Sequence, residues 1–270
     1  MFSLEMIRWW RSRRLLVLVL VLVFSGVSSP LMQVHLPDIL SKLGDSSVIV
    51  ANMASPTREE LLSSYFKNSS QLGLLVSCYL CTWGMSMGDD AGMRLYYRSR
   101  SRRAFGLLLP RIAATTTVAV LAVALGAVAA LYESSVLTDQ PWRAGAGDIA
   151  AALFLHAGAL VCFSLLAGVV AAWTGSAFGA TIGVCGVVLL AGLTSSSDAY
   201  KWTPMSLLSP GSVFDGEGTA QPFTCAAITA CVLTVLLALT SARSLRVIKM
   251  HSGTVPLHAA QHVLTEGRSR

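Results

Sequence analysis

The side chains that could do chemistry are few, and most of them stand in strongly apolar stretches. Cys78 and Cys81 have the C-x-x-C spacing of redox and zinc sites, and His156 is a single histidine among apolar residues. Thiolate ligands need a polar or electropositive site, so packing is the favoured interpretation of both cysteines. His156 can lie on a substrate path, or it can bind a carbonyl or hydroxyl group of a neighbouring helix. We favour the second role.

Motifs of nucleotide binding and of zinc-dependent hydrolysis are absent from the sequence. It has no G-x-x-x-x-G-K-[ST] phosphate loop and no H-E-x-x-H. Its predicted membrane helices contain no Asp or Glu, although a proton-coupled carrier usually buries at least one such residue. We therefore expect no catalytic residue, no metal site and no cofactor in this chain.

The composition is that of an integral membrane protein. Of the 270 residues, 54% are hydrophobic and 13% are charged, whereas soluble domains have about 25% charged residues. A helix needs roughly 20 apolar residues to cross the hydrocarbon core, and six stretches have or approach that length. They predict an all-α membrane bundle with spans at residues 15–32, 72–87, 112–131, 149–173, 178–193 and 223–240. The first stretch is long for the core of a secretory signal, so we expect it to be retained.

The basic residues predict the orientation of these spans. Fifteen of the 20 Lys and Arg residues lie in segments 1–14, 88–111 and 243–270, and such residues collect on the cytosolic side of membrane proteins. An even number of spans then places both termini in the cytosol, with a basic cytosolic tail over 243–270. The net charge of +6 reflects topology, and we expect no binding of nucleic acid.

The first 14 residues predict an amphipathic helix that lies along the membrane surface. Its apolar side chains Phe2, Met6, Trp9 and Trp10 would face lipid, and its arginines would face water or phosphate groups. The residues assigned to the membrane interface are Trp9, Trp10, Arg11, Arg13 and Arg14.

The connecting segments carry local signals of their own. The run 55–60 has a hydroxyl cap, a proline and two acids, which is typical of a helix start, so we expect a helix within the outer loop 33–68. The loop near 173–177 is very short and predicts a tight antiparallel pair of spans. The outer loop 194–222 predicts one short interfacial helix followed by turns.

A series of glycines leads into the fifth predicted span. Small residues four positions apart line one face of a helix and let another backbone approach closely. The series therefore predicts a helix-packing face or a dimer seam. Its members are Gly175, Gly179, Gly183 and Gly186.

The most informative cytosolic segment joins the second predicted span to the third. It begins with Asp89 and Asp90 and continues into a tyrosine pair and a run of arginines. A loop that touches anionic headgroups would explain the arginines, but Tyr and Arg are also favoured at protein interfaces. The residue types alone leave both interpretations open.

Over nearly its whole length the chain resembles the membrane permease of an ATP-binding cassette (ABC) transporter of the type-two exporter family. One feature is the amphipathic start, followed by basic residues at 11–14 and a first span that ends in Ser-Ser-Pro-Leu at 28–31. The second is the acid–Gly–apolar–Ser-Arg run over 89–103, with two aspartates where the family has a glutamate. The third is six spans with a helix-bearing outer loop before the last.

The resemblance implies that substrate transport and ATP hydrolysis belong to different subunits. Such permeases form homodimers or heterodimers and bind two cytosolic ATPase subunits, which would hold the ATP and Mg²⁺. Segment 1–14 would be the elbow helix, 15–242 the transmembrane domain and 88–111 the coupling loop. The chain would then lie in the cytoplasmic membrane and export a hydrophobic or amphipathic substrate such as a drug, a peptide or a lipid. The residues that would couple to the ATPase are Gly92, Arg94, Tyr96, Tyr97, Arg98, Arg100, Arg102 and Arg103.

Two other classes of function stay open. A non-transporting membrane scaffold or assembly protein would use the basic loop as a docking site. A secondary carrier is disfavoured because the predicted spans lack a carboxylate. In each case we expect membrane lipids as partners.

Overall fold

The computed structural model describes residues 2–43, 55–85, 105–192, 198–214 and 220–251, and these are almost entirely helical, with no strand among them. Eight α-helices are found in this part of the chain: α1 Phe2–Arg11, α2 Arg14–Leu43, α3 Arg58–Asn68, α4 Leu74–Met85, α5 Phe105–Val136, α6 Ala146–Thr174, α7 Ala177–Gly192 and α8 Ala220–His251. A π-helical segment, Ser69–Gly73, joins α3 to α4. Three 3₁₀ turns, Asp198–Trp202, Pro204–Leu208 and Pro210–Val213, lie between α7 and α8.

Four of the described helices are long and apolar enough to cross a membrane. They are Arg14–Pro37 within α2, Leu108–Val136 within α5, Ala146–Thr174 and Pro222–Ser241 within α8. These correspond to the first, third, fourth and sixth predicted spans. The all-α architecture is thus confirmed for the described residues, with four helices of the length and composition that crossing a membrane requires. The second and fifth predicted spans correspond to α4 and α7, which have 12 and 16 residues. The total of six spans stays a prediction.

Several helix boundaries differ from the predicted ones. α2 continues to Leu43, so residues 33–43 of the predicted outer loop 33–68 are helical. α5 begins at Phe105, so residues 105–111 belong to a helix and not to the predicted loop 88–111. α8 continues to His251, so residues 243–251 of the predicted tail are helical. The helix expected within the outer loop is joined to α4 by the π segment, and helical structure runs from Arg58 to Met85. A π segment widens the hydrogen-bonded turn by one residue, and an apolar pattern does not reveal it.

Two features of the connecting segments were predicted correctly from the local sequence. Thr57 caps α3: its Oγ1 accepts a hydrogen bond from the N–H of Glu60, and the Glu60 carboxylate accepts one from the N–H of Thr57, which is a capping box. α6 ends before Gly175, which has a left-handed φ of 75°, and α7 begins at Ala177, so the tight pair of helices is confirmed. Between α7 and α8 the prediction of one helix followed by turns was wrong, because three 3₁₀ turns are found there.

α2 and α5 cross at very short range. A Cβ atom built on Gly26 would lie 2.5 Å from the carbonyl oxygen of Gly126, and one on Gly126 would lie 2.9 Å from that of Leu22. Real Cβ atoms do not approach backbone this closely, so both glycines are required for the crossing. α6 lies at the centre of the bundle, where it packs against α4, α5, α7 and α8.

Replacing Gly126 by valine should separate α2 from α5. We expect the variant to lose about 2 kcal/mol of folding free energy, because the backbone of α2 cannot yield as a side chain can. Thermal unfolding followed by size-exclusion chromatography in detergent measures the loss. Gly158→Val is the matched control, since a Cβ on Gly158 of α6 would meet no atom within 4 Å. Equal losses in both variants would contradict the close crossing.

Candidate functional site

The residues predicted to couple to an ATPase lie in 86–104, outside the described residues. Both helices that flank this segment are described: α4 ends at Met85 before it, and α5 begins at Phe105 after it. The predicted residues that fall outside are Gly92, Arg94, Tyr96, Tyr97, Arg98, Arg100, Arg102 and Arg103. The described part of the candidate site therefore consists of these two helix ends and the residues that pack on them.

α1 packs on the end of α4. Trp9 is 3% exposed and lies on Gly84, where a Cβ atom would be 2.7 Å from the indole ring. The expectation that the Trp9 side chain faces lipid was therefore wrong, whereas Trp10 is 75% exposed. The assignment of both residues to the membrane interface stays a prediction. Consecutive residues of a helix point about 100° apart, so the tryptophan pair divides between the protein core and the surroundings. Met6 packs against the same core as Trp9.

A buried ion pair joins α1 to α5. Nε of Arg111 donates to Oε1 of Glu5 over 3.3 Å, and both residues are buried. Nη1 of Arg111 also donates to the carbonyl oxygen of Met85 over 3.4 Å, at the end of α4 where the helix dipole favours a cation. One guanidinium thus joins three helices. No sequence pattern indicates this pair, because its members are 106 positions apart and Arg111 was assigned to the loop.

Four further arginines lie in or next to α1. Two of them contact other side chains of the protein, and two are exposed. Nη1 of Arg8 lies 3.4 Å from the second carboxylate oxygen of Glu5. The guanidinium of Arg14 lies over the ring of Trp83 on α4, 4.4 Å from its centroid, which is within the range of cation–π attraction. The two that remain exposed, at the turn between α1 and α2, are Arg11 and Arg13. Arg13 has a left-handed φ of 57°, and this conformation turns the chain from α1 into α2.

The glycine series divides between a helix end and an open face. Gly175 ends α6 and takes its left-handed conformation there. Gly179 and Gly183 line an apolar groove of about 430 Å³ between α6, α7 and α8. A Cβ atom at Gly183 or Gly186 would meet no atom of the described residues within 4 Å. The predicted close packing of these two glycines is thus not made within the described part of the chain, and the dimer seam stays a prediction.

His156 joins three elements from the buried side of α6. It is 1% exposed, its Nε2 lies 2.7 Å from Oγ of Ser69, and its Nδ1 lies 2.8 Å from the carbonyl oxygen of Leu208. A carbonyl oxygen only accepts, so Nδ1 carries the proton and Nε2 accepts from the Ser69 hydroxyl. The ring therefore binds the π segment and the second 3₁₀ turn to α6. These are bonds to neighbouring hydroxyl and carbonyl groups, the role favoured from the sequence, and a substrate path stays a prediction.

At the end of the bundle away from α1, Glu59 of α3 holds the loop between α5 and α6. Its Oε1 accepts hydrogen bonds from the N–H groups of Arg143 and Ala144. Burial acts to raise the pKa of Glu59, but these backbone bonds and the positive charge of Arg143 outweigh it, and the pKa lies below its ordinary value. Beside it, Arg58 donates to the carbonyl oxygen of Thr138 over 3.0 Å. The loop is thus held by two adjacent charged residues of α3.

The described residues offer neither a metal site nor the structural setting of a hydrolase nucleophile. They contain no group of three or more His, Cys, Asp or Glu side chains that could hold a metal ion. Gly84, Ser86 and Gly88 have the G-x-S-x-G spacing of a hydrolase nucleophile. That motif requires a strand before the serine, but Gly84 lies in α4.

No family model, curated protein or solved structure matches this chain.

Removing one partner of the buried ion pair should destabilise the bundle strongly. Arg111→Met removes the buried guanidinium that pairs with Glu5, and we expect a loss of about 3 kcal/mol of folding free energy. The double variant Glu5→Gln/Arg111→Met should recover part of that loss, because no buried charge is then left without its main partner. Thermal unfolding in detergent measures both. Lys67→Met, at an exposed lysine of α3, is the control, and an equal effect of this variant would contradict the role of the pair.

Acid should loosen the contact between Glu59 and the α5–α6 loop. Because the folded-state pKa lies below the ordinary value of 4.5, the carboxylate contributes its full stabilisation above that value and loses it as the pH falls through the folded-state pKa. We expect proteolysis of residues 137–145 to rise in the wild type below pH 4.5. Glu59→Gln should cost about 1 kcal/mol at pH 7 and remove the pH dependence.

The matched control for this experiment is Glu60→Gln. Glutamine also serves at the third position of a capping box, so the start of α3 should be unaffected. Identical cleavage rates and pH profiles for the two variants would show that Glu59 does not hold the loop.

Proposed function

We propose that this chain is the membrane-spanning permease subunit of an ABC exporter. It crosses the cytoplasmic membrane six times with both termini in the cytosol, and it moves a hydrophobic or amphipathic substrate outward. A separate ATPase subunit binds the ATP and Mg²⁺, because the chain has no phosphate loop. The proposal rests on the resemblance of its segments to that family and on one structural observation.

The observation is that α1 is bonded to both helices that flank segment 86–104. Trp9 contacts Gly84 at the end of α4, and Glu5 is paired with Arg111 at the start of α5. An ATPase that docks on the basic segment would move these helix ends, and α1 would move with them because the ion pair is buried. This connection supports the role of α1 as an elbow helix that follows the coupling loop.

Contacts between α4 and α7 support a connection from these helix ends to a surface that could receive a partner permease. α4 packs on α7, where the hydroxyl groups of Thr82 and Thr181 lie 3.2 Å apart. α7 carries the open glycine face, with no described atom near a Cβ at Gly183 or Gly186. A second permease copy that packs on this face would receive a displacement of α4 through α7. Rigid-body movement of packed helices at a subunit interface is a common form of conformational coupling.

A non-transporting scaffold is the second candidate function. It would use the same basic segment for docking but would need neither the dimer nor nucleotide turnover. A secondary carrier is a weaker candidate, because the predicted spans lack Asp and Glu.

Affinity purification from detergent-solubilised native membranes distinguishes these functions. We expect mass spectrometry to identify an ATPase with a phosphate-loop motif, and the purified complex to hydrolyse ATP in a vanadate-sensitive manner. Recovery of the chain alone, without ATP hydrolysis, would favour the scaffold or the carrier.

Charge reversal in the basic segment tests the coupling role directly. The variant R98E/R100E/R102E/R103E should lose ATPase binding and at least about tenfold of the transport rate, since like charges at a docking surface cost several kcal/mol. The matched control replaces the same four arginines by lysine, which keeps the charge. Membrane topology is verified in both by thiol labelling from each side, because the reversal can also alter orientation. Unchanged transport with unchanged topology would contradict the assignment.

A further inference from the structure

We infer that the angle between α1 and α2 is a binding site for one anionic diacyl phospholipid. A groove of about 830 Å³ lies there, a size typical of ligand sites. Its wall from α1 and the turn consists of Trp10, Arg11 and Arg13, and its wall from α2 consists of Leu15, Leu16, Val19, Leu20 and Val23. The inference does not depend on the proposed transport function.

The charged part of the groove fits a phosphodiester. Of the arginines near α1, Arg8 lies on Glu5 and Arg14 lies over Trp83, so their charges are used within the protein. Arg11 and Arg13 are exposed, and no ion pair joins either of them to another described residue. Two guanidinium groups beside one apolar groove favour an anion that is bonded to an apolar chain.

The apolar part of the groove fits an acyl chain. Leu16, Val19, Leu20 and Val23 are three or four positions apart, so they follow one face of α2 over about 10 Å of helix length. Leu16 and Leu20 are 60% and 59% exposed, so the described part of the chain does not cover them. Trp10 stands beside the two cations, and an indole ring at headgroup level is typical of a membrane interface.

The two exposed arginines and the apolar face of α2 together favour a lipid over a soluble anion. Inorganic phosphate would satisfy the two arginines but leave the leucines uncovered, and a zwitterionic lipid would place its own cation beside them. Bulk lipid covers any apolar helix face, but it does not distinguish headgroups. An anionic phospholipid is the ligand that fits both parts of the groove, since basic residues at membrane surfaces attract such lipids.

Native mass spectrometry of the full-length protein in detergent tests the site. Phosphatidylglycerol and phosphatidylcholine with the same acyl chains are titrated in separate experiments, and inorganic phosphate and glycerol 3-phosphate serve as competitors. We expect one phosphatidylglycerol per chain to be retained at least about tenfold more tightly than phosphatidylcholine. We expect neither competitor to displace it, because neither covers the apolar wall.

Variants locate the binding and separate it from misfolding. R11Q/R13Q should abolish the preference for phosphatidylglycerol while leaving phosphatidylcholine binding unchanged. K42Q/K67Q removes the same charge from exposed lysines of α2 and α3 and should keep the preference. Lys42 lies about 40 Å along α2 from the turn. Lys67 precedes Asn68, which donates to Ser29 at about 24 Å along α2 from the turn. Leu20→Gln should weaken both lipids by severalfold through the apolar wall. R11Q/R13Q and K42Q/K67Q should both elute from size-exclusion chromatography at the volume of the wild type.

Three results would overturn the inference. Equal binding of the two lipids to the wild type would show only general solvation by lipid. An equal loss of preference in R11Q/R13Q and K42Q/K67Q would place the effect in net charge and not in the groove. Displacement of phosphatidylglycerol by inorganic phosphate at equal concentration would show a simple anion site.

Discussion

A carboxylate and a guanidinium in the interior of an apolar protein lose their hydration, which costs several kcal/mol per ion unless each finds a partner. Glu5 and Arg111 meet this requirement by binding each other, and Arg111 also reaches the carbonyl oxygen of Met85. Because neither charge can be left alone in this position, α1 has to stay on the ends of α4 and α5. The burial of Trp9, the turn into α2 and the position of Arg14 over Trp83 all depend on that placement.

α4 is held at both of its ends by polar contacts, although most of its own residues are apolar. At its C-terminus, Met85 accepts a hydrogen bond from Arg111. At its N-terminus, the π segment presents Ser69 to His156, which is bonded in turn to Leu208. The two ends of the bundle are therefore connected through one helix. Under the proposed function, this helix would carry a movement from the side of the basic segment to the 3₁₀ turns on the other side.

Signals that act over a few residues could be predicted from the sequence, and signals that act between distant residues could not. The cap at Thr57 and the short connection after Gly175 follow from local chemistry, and four spans follow from the length of apolar runs. The placement of Trp9 failed because amphipathicity distinguishes polar from apolar faces but not lipid from protein. Glu5–Arg111 and Ser69–His156 could not be found, because one connects positions 106 residues apart and the other 87.

α8 is the least covered of the four helices long enough to cross a membrane, and its window has fewer than a fifth of its residues buried. The described residues leave much of its surface uncovered: Ile228, Val232 and Leu236 are each more than half exposed. In a membrane such positions need only be apolar, because no packed neighbour among the described residues encloses them. Selection can therefore exchange these side chains freely among Leu, Ile, Val and Phe. Substitutions should accumulate faster on this helix than on α6, except at its buried positions, which are Phe223, Ala226, Ala230 and Ser241.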